Sequence, residues 1–491
     1  MTEDLPEQML VRREKLDRLR AEGIDPYPVG FARTATIAEV RAEHAGLPPD
    51  TMTGAHVGVV GRVVLSRNSG KLCFATIRDG SGELQVMASL DRLGEESLAL
   101  WKSAIDLGDH LGVEGEIITS RSGELSVLVD SWALTAKALR PLPDKHKGLA
   151  DPEARVRQRY VDLIVNSDAR DMVRTRASVL QSVRDTMRRH GYVEVETPSL
   201  QTLHGGATAR PFKTHLNAFD LPLFLRIALE LYLKRVVVGG IERVYEMGRV
   251  YRNEGVDSTH SPEFTELEAY EAYGDYDTMA ALTRDIVLDA ANAVGRVVVP
   301  DGRGGEIDLA ASWRSVTIHE VISQAVDQEL TIDTDVETLR AVAAKFDVSL
   351  QPDWDHGQVL LELFEKLVEH TLIEPTFVRD YPASVRPLAR PHRRDPRLVE
   401  AWDLVINGVE LAPAYSELVD PVEQRRRLTE QSLLAAGGDP EAMQLDEDFL
   451  RALEYGAPPM GGLGLGIDRL VMLLTGANIR ETILFPLIRP E

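Results

Sequence analysis

The stretch "EFTELEAY", residues 263–270, alternates with a period of two. In a strand that period puts Phe264, Glu266, Glu268 and Tyr270 on one face, and Thr265, Leu267 and Ala269 on the other. Buried carboxylates are costly without partners, so the first face cannot be packed core. A sheet holding this strand must bury one face and keep the other open to a polar pocket or to water. The preceding "RVYEMGRVYRN" and the turn-forming "EGVDSTHSP" complete an antiparallel hairpin with a long loop. Arg252 closes its first strand, where a guanidinium can fork onto a carboxylate or phosphate, and Glu254 and His260 sit in the loop above. An aromatic, two carboxylates and a phenol on one face suit a cation beside a flat ring. An exposed hairpin with a surface ion-pair ladder is the alternative these residues leave open.

A second hairpin is written in "AWDLVINGVELAPAYSEL", residues 401–418. Asn407-Gly408 is a strong two-residue turn signal, pairing Ile406 with Val409 and Val405 with Glu410. Regular continuation puts Asp403 and Glu410 at diagonal cross-strand positions on one face. Like charges so placed repel unless a cation lies between them, and hard oxygen ligands favour Mg2+ with substrate phosphates in its shell. The alternative is two exposed carboxylates on a sheet edge. Further on, "GAPPMGGLGLGIDRLVMLLTG" reads as a glycine run opening a helix, with Asp468 and Arg469 in the first turn, an anion site. A dinucleotide fingerprint is excluded, because Ile467 stands where the third glycine is required and too little chain remains for a βαβ unit. Two phosphate-grade arginines, a carboxylate pair and a cation pocket together point to nucleotide-dependent activation of a basic substrate.

The 491 residues suffice for two or three domains. Residues 1–54 read as a helical extension. Residues 55–143 show five short strands with one helix, near 91–105, between the third and fourth, which suits a small closed barrel of the OB type. The Pro-rich, charged stretch 144–163 reads as a linker, and 164–491 as a larger domain of mixed strands and long helices. A net charge of −23 excludes indiscriminate nucleic-acid binding, leaving only local basic patches such as "LVRREKLDRLR" and residues 137–160. The single cysteine, Cys73, excludes an internal disulfide and fits a reducing compartment, with the cytoplasm as default. There is no apolar leader and no run of about 18 apolar residues, so neither secretion nor a membrane span is expected.

These motifs resemble those of the class II aminoacyl-tRNA synthetases, most closely the lysine-specific branch, over nearly the whole chain. "GYVEVETPSL" is similar to the family's first motif, ending in Pro198 at a dimer interface; "RVYRNEG…HSPEFTELEAY" is similar to the second and "GLGLGIDRL" to the third. "HGGATARPF", "LELYLKR" and "YSEL" resemble marks of the lysine branch. The resemblance implies an α+β catalytic domain, with an antiparallel six-stranded sheet flanked by helices behind an OB-fold anticodon-binding barrel. It implies that Arg252 and Arg469 hold ATP phosphates as the catalytic residues, with Glu254 and His260 beside the nucleotide and Phe264 stacked on adenine. Glu268, Tyr270 and Glu417 would read the side-chain ammonium of L-lysine, with Tyr415 lining the pocket, while Gly206 and Glu230 bind the α-amino group. Asp403 and Glu410 would be the Mg2+ carboxylates. In the barrel Phe74 is placed to stack on a base, with Arg67, Gln85 and Glu124 as contacts to the lysine-tRNA anticodon; barrel core is the other reading of Phe74. The implied activity is ATP-dependent lysine–tRNA ligation by a homodimer.

The chain departs from that pattern in three places. In "ELAPAYSEL" Pro413 and Ala414 stand where the family usually carries an Asn-Gly or similar pair, and Tyr415 replaces a common Phe. Leu229 replaces a Pro immediately before Glu230, and Met460 replaces a small polar residue. A paralogue that passes lysine to a non-tRNA acceptor, and an inactive RNA-binding regulator on the same fold, are the competing expectations.

Overall fold

The computed structural model describes residues 5–143, 148–436 and 442–490. The chain forms two compact units, residues 1–150 and 151–491. Of the stretch expected to link them, 144–147 lie outside the described residues, while Pro152–Arg157 and Arg159–Val165 are helices of the second unit.

The first unit is a closed five-stranded barrel in the order Met52–Ser69, Leu72–Arg78, Glu83–Ser89, Leu125–Ala136 and His110–Thr119. Alternation decides which side chains enter it. Cys73, Ala75 and Ile77 of one strand, with Leu84, Val86 and Ala88 of the next, are at most 2% exposed. Burial of each large apolar side chain contributes roughly 1.5–3 kcal/mol. The helix between the third and fourth strands, Leu90–Ala104, buries Leu98 and Trp101 against this core. The N-terminal segment is more integral than a mere extension. Its helix Ile37–Glu43, closed at the N-terminus by a Thr36/Glu39 capping box, inserts Ile37 and Val40 into the barrel core.

The second unit is built on an eight-stranded sheet. Its central six strands, Thr376–Arg379, Ala401–Ile406, Val409–Ser416, Met460–Gly466, Glu263–Ala272 and Arg243–Tyr251, run antiparallel to their neighbours. The short strands Arg314–Thr317 and Val193–Glu194 add one parallel pairing at each edge. Leu267, Ala269, Leu463 and Leu465 point to one face, which is packed against helices Ser167–Arg189, Tyr276–Ala293 and Ile467–Thr475. The other face is the floor of an open cleft. A further helical cluster, from Ile318–Val326 through His356–Leu367, packs around Phe364 and Tyr381 beyond the 376–379 strand.

Candidate active site

The period-two strand does what its pattern requires. Thr265, Leu267 and Ala269 are buried on the helix side, while Glu266, Glu268 and Tyr270 line a cavity of about 310 Å3 on the opposite face. That cavity also receives Gly206, Glu230, Asp403, Glu410, Tyr415 and Glu417. A second cavity, of about 220 Å3, is lined by Arg252, Glu254, His260, Phe264 and Arg469. The two share Arg252, Glu266, Glu410 and Pro413 as a common wall, so they are adjoining compartments of one cleft. Every residue expected at the ATP, lysine or Mg2+ sites therefore lines it.

The glycine run opens a helix as expected and is itself a strand: residues 460–466 lie at the centre of the sheet, paired with Glu266–Ala272 on one side and Ala414–Ser416 on the other. The leucines enter the core, and Gly462 and Gly464 face the cavity. A Cβ at Gly462 would collide with the Glu417 carboxylate and lie 2.6 Å from the Tyr270 ring. Glycine here makes room for two large polar side chains and for a ligand. The helix follows at once, starting at Ile467, with Arg469 donating to the Glu410 carbonyl oxygen at 2.6 Å.

In the second hairpin Asn407 and Gly408 both have positive φ, as a tight primed turn needs, and the first two pairs form as expected. The pairing then slips at a bulge, so that Leu404 faces Ala412 and Asp403 faces Pro413 instead of continuing the regular register. Asp403 and Glu410 still line the same cavity. Asp403 is 3% exposed; its Oδ2 accepts from Arg386 at 2.5 Å, and the Tyr381 hydroxyl lies near enough to help draw its pKa down. Burial raises its pKa, with the Glu410 charge adding to the effect and Arg386 opposing it. Burial and Glu410 likewise push Glu369, which accepts from the Glu410 amide, up to about 7.

The acidic end of the cavity is fully internal. Glu268 accepts from the Leu229 amide at 2.7 Å and from the Tyr270 hydroxyl at 2.9 Å. Its pKa is raised, chiefly by burial and then by Glu266 and Glu230, and those two donors draw it back down. Glu417 is pushed up to about 8, again by burial first. Glu230 is raised by burial too, and Lys234 opposes the shift. At the other compartment the Arg252 guanidinium lies 5.1 Å from the Phe264 ring centre and 3.7 Å from Glu266. Glu254 accepts from the Arg210 amide, and His260 is held by Asp257 in the exposed loop.

Two neighbours of the site, Arg386 and Lys234, escaped sequence reasoning, and a third, Asp468, has a different role from the one expected. Arg386, which grips Asp403 and stacks 4.5 Å from the Tyr381 ring centre, comes from an irregular segment with no periodic signal. Lys234 lies inside the quoted "LELYLKR" but was read only as part of that string. Asp468 was read as a first-turn acid of an anion site; it is 2% exposed, accepts from the Thr265 amide at 2.6 Å and pairs with Arg176. It pins the helix that carries Arg469 to the strand that carries Phe264. Of the three departures, Pro413 walls both compartments, the Leu229 amide supplies Glu268 with a donor that a proline could not, and Met460 joins Leu229 and Tyr270 in one buried cluster.

In the barrel Arg67 pairs with Phe74, Phe74 with Met87, and Thr76 with Gln85. Phe74 alternates with buried Cys73 and Ala75, so it lies on the outer face and not in the core. Gln85 lies on that face with its amide donating to Ser126 Oγ at 2.8 Å. Glu124 stands at the adjoining rim, 3.4 Å from Arg41.

Comparison with known proteins fits this construction. Residues 151–489 match the family described as tRNA synthetases class II (D, K and N), and residues 57–135 match the OB-fold nucleic acid binding domain. The chain belongs to the class II tRNA synthetases of the D, K and N group. Its relatives within the group include proteins named lysine–tRNA ligase: one from Mycobacterium bovis (strain BCG / Pasteur 1173P2) is 53% identical, covering 100% of this chain and 98% of the relative. One from Kineococcus radiotolerans is 54% identical with the same coverage. A bifunctional lysylphosphatidylglycerol biosynthesis protein of Mycobacterium marinum is 52% identical over 99% of this chain, which spans 44% of that protein.

Proposed function

We propose that the chain is a lysine–tRNA ligase, and that the residues gathered in the cleft act as follows. The observation that carries the assignment is the join between an acidic compartment and an arginine-lined one. Glu268, Tyr270, Glu417 and Glu230 offer oxygen acceptors to two ammonium groups, with Gly206 and Tyr415 closing the wall. Arg252, Arg469 and Phe264 offer cations and a ring to a nucleotide, with Glu254 and His260 at its edge. A lysine and an ATP laid across the shared wall bring the lysine carboxylate toward the α-phosphate, the geometry of an in-line attack.

Lysine carboxylate oxygen attacks the α-phosphorus, the bond to the bridging oxygen breaks, and pyrophosphate leaves, giving lysyl-adenylate. A terminal ribose hydroxyl of tRNA then attacks the lysyl carbonyl, its proton is lost, and AMP leaves. No side chain becomes covalent. Arg252 and Arg469 neutralise phosphate charge, while Glu268 and Tyr270 fix the amino acid. Asp403 and Glu410 fit Mg2+: both put hard oxygen donors on one wall of the cavity, and burial with the Glu410 charge raises the Asp403 pKa even against Arg386, so a further cation is favoured beside them. The ion, when bound there, would neutralise phosphate charge alongside the arginines.

The outer face bearing Arg67, Phe74 and Gln85, with Glu124 at its rim, reads the anticodon by stacking and edge hydrogen bonds. The exposed apolar residues Val193, Leu200 and Leu203 around Pro198 support a homodimer, and the lone cysteine, Cys73, supports a reducing compartment such as the cytoplasm. Among the described residues no helix is long and apolar enough to cross a membrane. The test is amino-acid-dependent ATP–pyrophosphate exchange with Mg2+. Exchange with lysine, and little with ornithine, arginine or aspartate, is expected; exchange that prefers aspartate, or none with lysine, would overturn the assignment.

A further inference from the structure

The cleft's carboxylates sort into two groups by the cations beside them. Glu266 has Arg252 at 3.7 Å, Asp403 has Arg386 at 2.5 Å, and Glu410 has Arg469 at 3.8 Å. At the acidic end Glu230 and Glu417 share one cation, and Glu268 has no ion-pair partner among the described residues, only the Leu229 amide and the Tyr270 hydroxyl. Lys234 Nζ lies 2.5 Å from Glu230 Oε1 and 2.5 Å from Glu417 Oε2. Its side chain is 1% exposed and does not line the cavity. It sits behind the two carboxylates, one helical turn from Glu230 on helix Glu230–Val238, and 5.8 Å from the Tyr270 ring centre.

We propose that Lys234 is a positioning residue for the substrate: it fixes Glu230 and Glu417 in place from behind and eases their ionisation and, once the three carboxylates are ionised, leaves that end short of two positive charges. Those are the charges that the two ammonium groups of lysine bring. A monocationic amino acid leaves one carboxylate unmatched, which is costly in a buried site. The inference rests on the lysine reading above and deepens it. It assigns selection for a dication to a residue that touches neither ammonium group.

The charged and titratable groups facing Lys234 are Glu230 on its own helix, Glu417 beyond the end of the 409–416 strand, and Tyr270 with Glu268 on the 263–272 strand. With Lys234 present, Glu417 stands at about 8, and the lysine ammonium of Lys234 is what lowers both Glu230 and Glu417 against burial. Removing that cation raises both carboxylates further. Only the ionised forms receive an ammonium group fully, so substrate capture must climb with pH and must climb later in the variant.

The experiment compares the unaltered chain with Lys234→Met and Lys234→Arg in lysine-dependent ATP–pyrophosphate exchange across about pH 6.5 to 9. Retained ATP binding serves as the check of folding. In the unaltered chain kcat/KM for lysine is expected to rise around pH 8. In Lys234→Met it falls about tenfold or more at pH 7, one pKa unit being tenfold, and the gap narrows toward pH 9 while KM for ATP stays put. Lys234→Arg restores the early rise. An equal loss at every pH, or no loss, overturns the proposal while leaving the lysine reading intact. No lysine-dependent exchange by the unaltered chain overturns both. Should Lys234→Met fail to fold, the unaltered profile decides: a flat line across the range overturns the proposal, and a rise near pH 8 supports it.

Discussion

Tyr270→Phe removes one oxygen and little else. The hydroxyl donates to Glu268 Oε2 at 2.9 Å, between residues that are 3% and 5% exposed. A buried hydrogen bond to a charged acceptor is worth about 1.5–3 kcal/mol. At 1.36 kcal/mol per factor of ten, that converts to a loss of about 10- to 150-fold in kcat/KM for lysine. The pH dependence carries the sign. Burial, Glu266 and Glu230 raise the Glu268 pKa, and the Tyr270 hydroxyl lowers it by favouring the carboxylate. Lysine capture requires the ionised form and so increases as pH rises through that pKa. Without the hydroxyl, the increase shifts to higher pH. The assay is ATP–pyrophosphate exchange with lysine and ATP titrated separately at several pH values. KM for ATP should be unchanged, because Tyr270 lines only the acidic compartment. A lysine KM within about twofold of the unaltered chain, with an unmoved pH profile, would refute the reasoning.

Further outcomes follow from other contacts. Asp468→Ala strips the Thr265 amide and Arg176 of their carboxylate. Breaking a buried pair costs about 3–5 kcal/mol; because Arg176 reaches solvent, the expected loss is about 2–4 kcal/mol in the urea transition of the catalytic unit, and an unchanged midpoint would contradict it. Glu410→Gln alters a side chain 40% exposed, so the fold should survive while the Mg2+ concentration for half-maximal exchange rises about tenfold or more. An unmoved Mg2+ midpoint would remove Glu410 from the ion's ligands. Phe74→Ala is expected to raise KM for tRNA about 10- to 100-fold through lost base stacking, with amino-acid activation intact. Equal tRNA KM values would return Phe74 to a purely structural role.

The sequence was most informative where local rules coincide with tertiary need. The alternation from Phe264 to Tyr270 disclosed both faces of its strand, because a carboxylate cannot be buried casually while Leu267 and Ala269 can. Asn407-Gly408 disclosed its turn and first pairs. The bulge that moves Asp403 opposite Pro413 was invisible, since a bulge inserts one residue without any compositional mark. That the glycine run opening the last long helix is itself a strand was invisible for a related reason. Glycine ordinarily weakens a strand, and only the side chains of Glu417 and Tyr270 lying across it explain why residues 460–466 must be a strand without bulk. Arg386 stayed hidden because its partner Asp403 lies on a separate element, and Lys234 because its local pairing with Glu230 reads like any i,i+4 helix pair while its second partner, Glu417, is distant in sequence.

The most direct measurement is the charging of lysine tRNA by the unaltered chain with lysine, ATP and Mg2+. A lysyl ester at the tRNA 3′ end, blocked by periodate oxidation of the terminal ribose and accompanied by one AMP per ester, is the expected result. Lysine-dependent pyrophosphate exchange with the tRNA left uncharged would contradict the account, showing that the cleft activates lysine for some other acceptor.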